Sequence, residues 1–201
     1  MCSAGFGSPP QPGAADPALI SKDARATSAF YQIIMGEVEA VAGSYQWGVT
    51  TIQSYLPVDN ESYFKDPVSL VDWLRQYAKT EEEREEVHLR GFLGKMLFSG
   101  EEALKKCNVL SGGEKVRCML SRMMLFRANV LLLDEPPNHL DLESITAFNN
   151  SLKQFKGNLI VTTHDHEFAH TVANRIVELT PKGVIDRNMS FDDYMSNKDI
   201  K

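Results

Sequence analysis

No run of apolar residues in this 201-residue chain approaches the roughly eighteen that cross a bilayer as a helix, so no membrane insertion is expected. Nor does a basic stretch followed by an apolar core open the chain, so no export signal is expected. Cysteine is scarce: Cys2, Cys107 and Cys118 form neither a metal-ligand spacing nor a disulfide framework. That agrees with a reducing compartment and a cytoplasmic site. Basic excess is missing too. The net charge is −6, and phosphate backbones demand clustered Lys and Arg, so autonomous DNA binding is not expected. The densest basic set, Lys105, Lys106, Lys115, Arg117, Arg122 and Arg127, is spread along helices and reads as a solvated face, as does the acidic run Glu81 to Glu86. Glycine, finally, is absent where a phosphate cradle needs it. The string Gly-x-x-x-x-Gly-Lys-Ser/Thr, whose backbone N–H groups and lysine neutralise phosphates, occurs nowhere.

With 43% hydrophobic residues, the chain can bury one good core with a small appended lobe. Residues 1 to 17 are rich in Gly, Pro and small side chains, lack periodicity and read as disordered; residues 18 to 201 read as one α/β domain. Strand, loop and helix are expected over Ala18 to Gly36, and strands over Trp47 to Leu56. A helical lobe is expected over about 60 to 126, with helices at Val68 to Tyr77 and Glu81 to Phe98 and a capping box at Thr80 and Glu83. The remainder alternates strand and helix, as a parallel sheet requires. Pro181-Lys182-Gly183 marks a turn between two strands, and Phe191 to Met195 a last short helix.

Three segments between Leu110 and Asp165 carry chemistry. Ser111 followed by Glu114 is a capping box, and Val116, Met119, Leu120, Met123 and Met124 recur at helical spacing behind it. The helix therefore opens on Gly112 and Gly113, whose free N–H groups suit an anion; alone, the motif is simply a helix start. Val130 to Leu133 is a continuous apolar run suited to a strand buried on both faces, and it delivers Asp134 and Glu135 at its carboxyl end. Ligands bind at that edge of open α/β sheets, where one carboxylate can hold Mg²⁺ and a second can orient water; alone, Asp-Glu-Pro is a surface turn. Leu159 to Thr163, a second strand, delivers His164, which by itself is an ordinary loop residue. His166 and His170 share one helical face from Asp165 to Ala173 without the Cys or carboxylate cluster a metal site needs.

In this order and spacing, Leu-Ser-Gly-Gly-Glu at 110 to 114, Leu-Leu-Leu-Asp-Glu-Pro at 131 to 136 and Thr-Thr-His-Asp at 162 to 165 resemble the nucleotide-binding domain of ATP-binding-cassette proteins. The resemblance spans most of the chain and implies a P-loop NTPase-like parallel sheet flanked by helices, with a small signature-bearing helical lobe. It implies ATP and Mg²⁺ as cofactors. Ser111, Gly112, Gly113 and Glu114 would form the signature loop, Asp134 would hold Mg²⁺, Glu135 would polarise water, and His164 would read the γ-phosphate. Asn138-His139-Leu140-Asp141 resembles the D-loop of the ABC-F branch, soluble twin-cassette ATPases that act on the ribosome, and Ser144 to Gly157 and Val172 to Arg187 look like the second cassette of bacterial members. Asp141 is thereby a nucleotide-site candidate. Pro137 stands where threonine is usual and removes a backbone donor.

The phosphate loop departs from the family pattern. Counting back from Gly36 and Glu37, its counterpart is Ser21-Lys22-Asp23-Ala24-Arg25-Ala26-Thr27-Ser28: the glycines are gone, Thr27 replaces the lysine, and Ser28 keeps the hydroxyl that reaches Mg²⁺. The glutamine expected after Tyr55-Leu56-Pro57 is Val58, with Asp59 and Asn60 the nearest polar groups. Opening strands and an adenine-stacking aromatic have no counterpart, so the chain reads as truncated. In a head-to-tail cassette pair each ATP lies between one phosphate loop and the other's signature loop. The resemblance thus implies a second cassette as partner, in the same chain or a dimer, and the ribosome as target. Two other outcomes stay open: a catalytically silent module that donates only its signature loop, and the ATPase subunit of a membrane transporter.

Overall fold

The protein is described here by a computed structural model that covers residues 16–21, 23–136, 140–163 and 165–197. In chain order the elements are β1 (Pro17–Ser21), α1 (Ala24–Ile34), β2 (Gln53–Leu56), α2 (Leu70–Arg75), α3 (Glu81–Arg84), α4 (Glu86–Lys95), α5 (Gly112–Leu125), β3 (Val130–Asp134), α6 (Leu142–Gln154), β4 (Asn158–Thr162), α7 (His166–Val172), β5 (Arg175–Thr180), β6 (Gly183–Arg187) and α8 (Phe191–Ser196). The chain divides into two units: the first takes the residues up to Tyr55, Asn129–Glu135 and those from Lys156, the second Leu56–Ala128 and Pro136–Phe155.

The described strands of the first unit form one sheet in the order β2-β3-β4-β1-β5-β6. β3 lies parallel to β4, and β1 parallel to both β4 and β5, while β6 closes one edge antiparallel to β5. The apolar run 130–133 is an interior strand, flanked on both sides, as its unbroken hydrophobicity requires. Leu19, Tyr31, Ile34, Tyr55, Val130 and Leu132 pack into one cluster, with α1 lying against β1 and β3. Each aliphatic side chain so buried contributes about 2 kcal/mol. β5 and β6 meet through the expected turn, where the Thr180 hydroxyl accepts from Lys182 N–H at 3.2 Å.

Two expectations for this unit are corrected. β1 begins at Pro17, inside the stretch expected to be irregular, because Asp16 is tied on both sides: its Oδ1 accepts from Leu159 N–H at 2.8 Å and its N–H donates to Asn174 Oδ1 at 2.6 Å. The rest of that stretch, residues 1–15, lies outside the described residues. Of Trp47 to Leu56 only Gln53–Leu56 is strand. Thr51 N–H closes a turn on Gly48 C=O, and the Asn129 side chain takes Ile52 N–H and Thr50 C=O at 2.8 Å each, so the groups that a ladder needs are already used. Trp47 instead donates Nε1–H to Ile34 C=O at 2.8 Å.

The second unit is helical, with α5 packed against α2 and α4 around Leu70, Trp73, Leu74, Leu89, Leu93 and Met119. Trp73 stacks on Phe64 at 4.8 Å and donates to Tyr63 C=O. The helix expected over Val68 to Tyr77 is shorter, since Ser69 is its N-cap and Val68 C=O receives Cys107 N–H. The helix expected over Glu81 to Phe98 is broken at Glu85, which is extended at ψ 135°, and ends before Leu97, where φ is 65°. Consecutive carboxylates at 81–83 and 85–86 repel along one helical face, which favours the break. At the start of α3, Thr80 Oγ1 accepts from Glu83 N–H, while the Glu83 carboxylate takes Lys79 N–H at 2.8 Å.

The basic residues of α5 are not the solvated face expected of them. Arg122 lies among three rings, 5.0 Å from Tyr63, 4.5 Å from Tyr77 and 4.9 Å from Phe126. Arg117 covers Phe98 at 4.6 Å and donates to Met96 C=O. Guanidinium planes shed water readily onto aromatic faces, which periodicity alone does not reveal. Cys107 and Cys118 are buried free thiols, both pushed up by burial, and Cys2 lies outside the described residues.

Candidate functional site

At the carboxyl end of β3, Asp134 is buried to 2% exposure and accepts three hydroxyls. Ser28 Oγ donates to Oδ2 at 2.6 Å, Tyr55 Oη to Oδ2 at 3.3 Å and Thr162 Oγ1 to Oδ1 at 2.7 Å. The β3–β4 register sets Thr162 beside Asp134, and the first turns of α1 bring Ser28 over the strand end. A buried carboxylate without partners is costly, and among the described residues this one is met by three neutral hydroxyls. Tyr31, fully buried, donates to Leu133 C=O at 3.3 Å; burial first, and the charge of Asp134 second, push its phenol well above the ordinary value.

Glu135 follows in left-handed backbone at φ 51°. Its N–H donates to Thr162 C=O at 3.1 Å and to Thr162 Oγ1 at 3.2 Å, so the bend that turns the chain off the sheet is held by the neighbouring strand. Backbone of this kind costs about 1 kcal/mol in a residue with a Cβ and concentrates at functional sites.

The amino end of α1 is built differently from a phosphate cradle. Asp23 is its N-cap: Oδ1 accepts from Arg25 N–H at 3.0 Å and from Arg25 Nε at 3.2 Å, and Oδ2 from Nη2 at 3.3 Å. The Arg25 bonds hold the Asp23 carboxyl below the usual range. Thr27, in the lysine position, is buried with its hydroxyl donated to Ala24 C=O at 2.7 Å. Lys22 lies outside the described residues. With no glycine to let backbone N–H groups close on an anion, an Arg25-paired carboxylate at the cap and a hydroxyl in place of the lysine, the described residues do not form a phosphate cradle. Ser28 and Asp134 do fit Mg²⁺: one hydroxyl and one carboxylate suit a hard cation that keeps most of its waters. Among the described residues no group of three or more His, Cys, Asp or Glu could hold a metal ion by itself.

In the second unit Ser111 caps α5, with the reciprocal bonds of a capping box: Glu114 N–H to Ser111 Oγ at 3.3 Å and Ser111 N–H to Glu114 Oε2 at 2.8 Å. Ser111 and Gly112 are exposed and Gly113 half-buried, so the positive end of a 14-residue helix meets solvent. Asp141 is the N-cap of α6, its Oδ1 accepting from Ser144 N–H at 2.8 Å; that bond holds its carboxyl below the usual range. Asp59 accepts Glu61 N–H, and Asn60 is buried. His170 faces Asp192 at 2.8 Å.

The expected Ser28 and Asp134 are thus brought together, with Glu135 next in the chain. His164, Pro137, Asn138 and His139 lie outside the described residues, as does the side chain of His166. Three residues of the site escape sequence reasoning: Tyr31, Tyr55 and Thr162. Tyr31 and Tyr55 sit at core-facing positions; Thr162 opens the Thr-Thr-His-Asp segment, but its role as a donor to Asp134 follows only from the pairing of β3 with β4.

The sequence profile of the family described as ABC transporter matches residues 27–138, more than half of the chain. An uncharacterized ABC transporter ATP-binding protein of Bacillus subtilis (strain 168), YkpA, is 56% identical over 185 residues, covering 92% of this chain and 34% of its own length. The chain spans about a third of the length of such relatives. Among solved structures, the dimeric post-hydrolysis state of the ATP-binding cassette MJ0796 bound to ADP and Pi superposes with a TM-score of 0.70 at 18% identity, covering 87% of this chain and 85% of that one. The complex of archaeal ribosomal stalk protein aP1 and archaeal ribosome recycling factor aABCE1 gives 0.67 at 21%, covering 90% and 35%. These likenesses establish the fold.

Proposed function

The chain belongs to the ABC transporter family of ATP-binding cassettes, and from that premise we propose that it is an ABC-F-type cassette acting on the ribosome, which pairs with a second cassette and completes that partner's ATP site with its signature helix. The observation that carries this reading is the contrast between two helix starts. The amino end of α5 keeps two glycines, Gly112 and Gly113, behind the neutral Ser111 cap, with the Glu114 carboxylate folded back into the capping box; the first turn of α1 has no glycine, and its cap is the Asp23 carboxylate. Glycines let a phosphate approach the backbone N–H groups of the first, and side chains with a Cβ crowd the second.

Support for the ABC-F branch is the Asn-His-Leu-Asp string at 138–141, and a solved relative in fold is a ribosome recycling factor. In the paired state Ser111, Gly112 and Gly113 contact the partner's nucleotide. Asp134 with Ser28 holds Mg²⁺, Glu135 orients water and His164 reads the γ-phosphate at the half-site that lacks its cradle, which makes that half-site the weaker one. Chemistry at an intact site is attack of water on the γ-phosphate, catalysed by positioning and charge neutralisation.

Calorimetry with Mg·ATP tests this on the purified chain, alone and with an intact cassette that carries a glycine-rich phosphate loop. The expected result is no binding by the chain alone and tighter binding by the partner in its presence, abolished by Ser111→Arg. Saturable binding by the chain alone, or a partner affinity indifferent to Ser111→Arg, overturns the reading.

A further inference from the structure

Glu114 poses an electrostatic difficulty. Its carboxylate occupies the first turn of α5, the very end at which a phosphate is to be received, and a fixed negative charge there opposes another. The capping box cannot dispense with a side chain at 114, because Oε2 satisfies Ser111 N–H at 2.8 Å. Its other oxygen, Oε1, accepts from Lys105 Nζ at 2.6 Å.

Lys105 is well placed to answer that charge. It follows the 3-10 turn Gly100–Leu104, and its own C=O receives Leu70 N–H at 3.0 Å, so its backbone is anchored to α2. The pair is half-sheltered, with side-chain exposures of 40% for Lys105 and 16% for Glu114. The neighbouring cations of α5 are engaged elsewhere: Lys115 bonds Glu61 at 3.2 Å, and Arg117 covers the Phe98 ring. Burial pushes the Glu114 carboxyl up, but the Lys105 ammonium and the Ser111 bonds more than offset it and leave it below its ordinary value. Glu114 is therefore charged, and its counterion is Lys105.

We propose that Lys105 is a positioning residue of the donated nucleotide surface: by neutralising Glu114 it leaves the amino end of α5 net positive toward the phosphates of a partner's ATP. This rests on the signature-donation reading above. A lysine that merely braced the capping box would be replaceable by any change that keeps the box folded. One that compensates charge becomes dispensable once Glu114 is made neutral.

The test is Mg·ATP calorimetry on an intact cassette with the full chain as wild type, Lys105→Met, Lys105→Arg, Glu114→Gln, the Lys105→Met/Glu114→Gln double variant, and Ser111→Arg. Lys105→Met is expected to weaken binding roughly fivefold and Lys105→Arg by less than about twofold. Glu114→Gln, which keeps the capping bond, is expected to bind at least as well as wild type, and the double variant to recover wild-type affinity. An unchanged Lys105→Met, or a double variant as weak as Lys105→Met, overturns the proposal. Ser111→Arg separates the two ideas. If it abolishes the enhancement while Lys105→Met is silent, only the role of Lys105 falls; if it is silent, donation falls and this inference with it.

Discussion

The hydroxyl of Ser28 donates to Oδ2 of Asp134 at 2.6 Å, joining the first helix of the chain to a strand end 106 residues later. Thr162 and Tyr55 donate to the same carboxylate, so Asp134 ties α1, β2, β3 and β4 together at one edge of the sheet.

Removing the acceptor should therefore destabilise the fold. Asp134→Ala takes the acceptor from two buried hydroxyls, those of Tyr55 and Thr162, and from the half-buried one of Ser28, at a cost on the order of 2–4 kcal/mol, while Thr162→Val removes one donor at about 1–2 kcal/mol. Urea unfolding of both variants checks the ranking; an Asp134→Ala protein as stable as wild type refutes it.

Glu135→Gly should have the opposite sign. Glycine adopts φ 51° without the penalty a Cβ brings, so the variant should be more stable by a few tenths to about 1 kcal/mol. If the carboxylate orients water, any hydrolysis falls with it. Glu135→Ala, which loses the acid but keeps the strain, is the control for the stability half, read from denaturation midpoints.

Ser111→Ala removes the N-cap of α5 and should cost about 1 kcal/mol, whereas Ser111→Gly should cost only a few tenths. Thermal melts distinguish the two. A difference in the reverse direction means that the cap does not anchor the helix.

Acid should loosen the same turn. The folded-state pKa of Glu114 lies below its ordinary value of 4.5, so as pH falls the unfolded chain takes up the proton first. The contribution is full above that value and is lost as pH falls through the depressed pKa. Stability against pH for wild type and Glu114→Gln should run parallel at neutral pH and converge below about pH 4.5.

Sequence reasoning reached the α/β architecture because its strongest signals are local. Four consecutive apolar residues ending in Asp134 demand a doubly buried strand, and Ser111 with Glu114 demands a helix start. It failed where distant groups compete for the backbone. Nothing near Thr50 or Ile52 announces that Asn129 will take their hydrogen bonds and cut the strand short. The tyrosine hydroxyls at the end of β3 were invisible for a related reason: Tyr31, which donates to Leu133 C=O, and Tyr55, which donates to Asp134, obey the hydrophobic pattern, and their polar tips matter only once the sheet exists. Arg122 shows the converse, a charge that periodicity assigns to water and three rings claim.

That claim on Arg122 has a mechanical side. Tyr63, Tyr77 and Phe126 grip the carboxyl-terminal half of α5, and a helix of 14 residues is about 20 Å long. Phe126 caps the helix and packs edge-on against Tyr77, which meets Trp73 at 5.2 Å, so the carboxyl end of α5 and the core of α2 share one aromatic cluster, whereas the Gly112 end meets solvent.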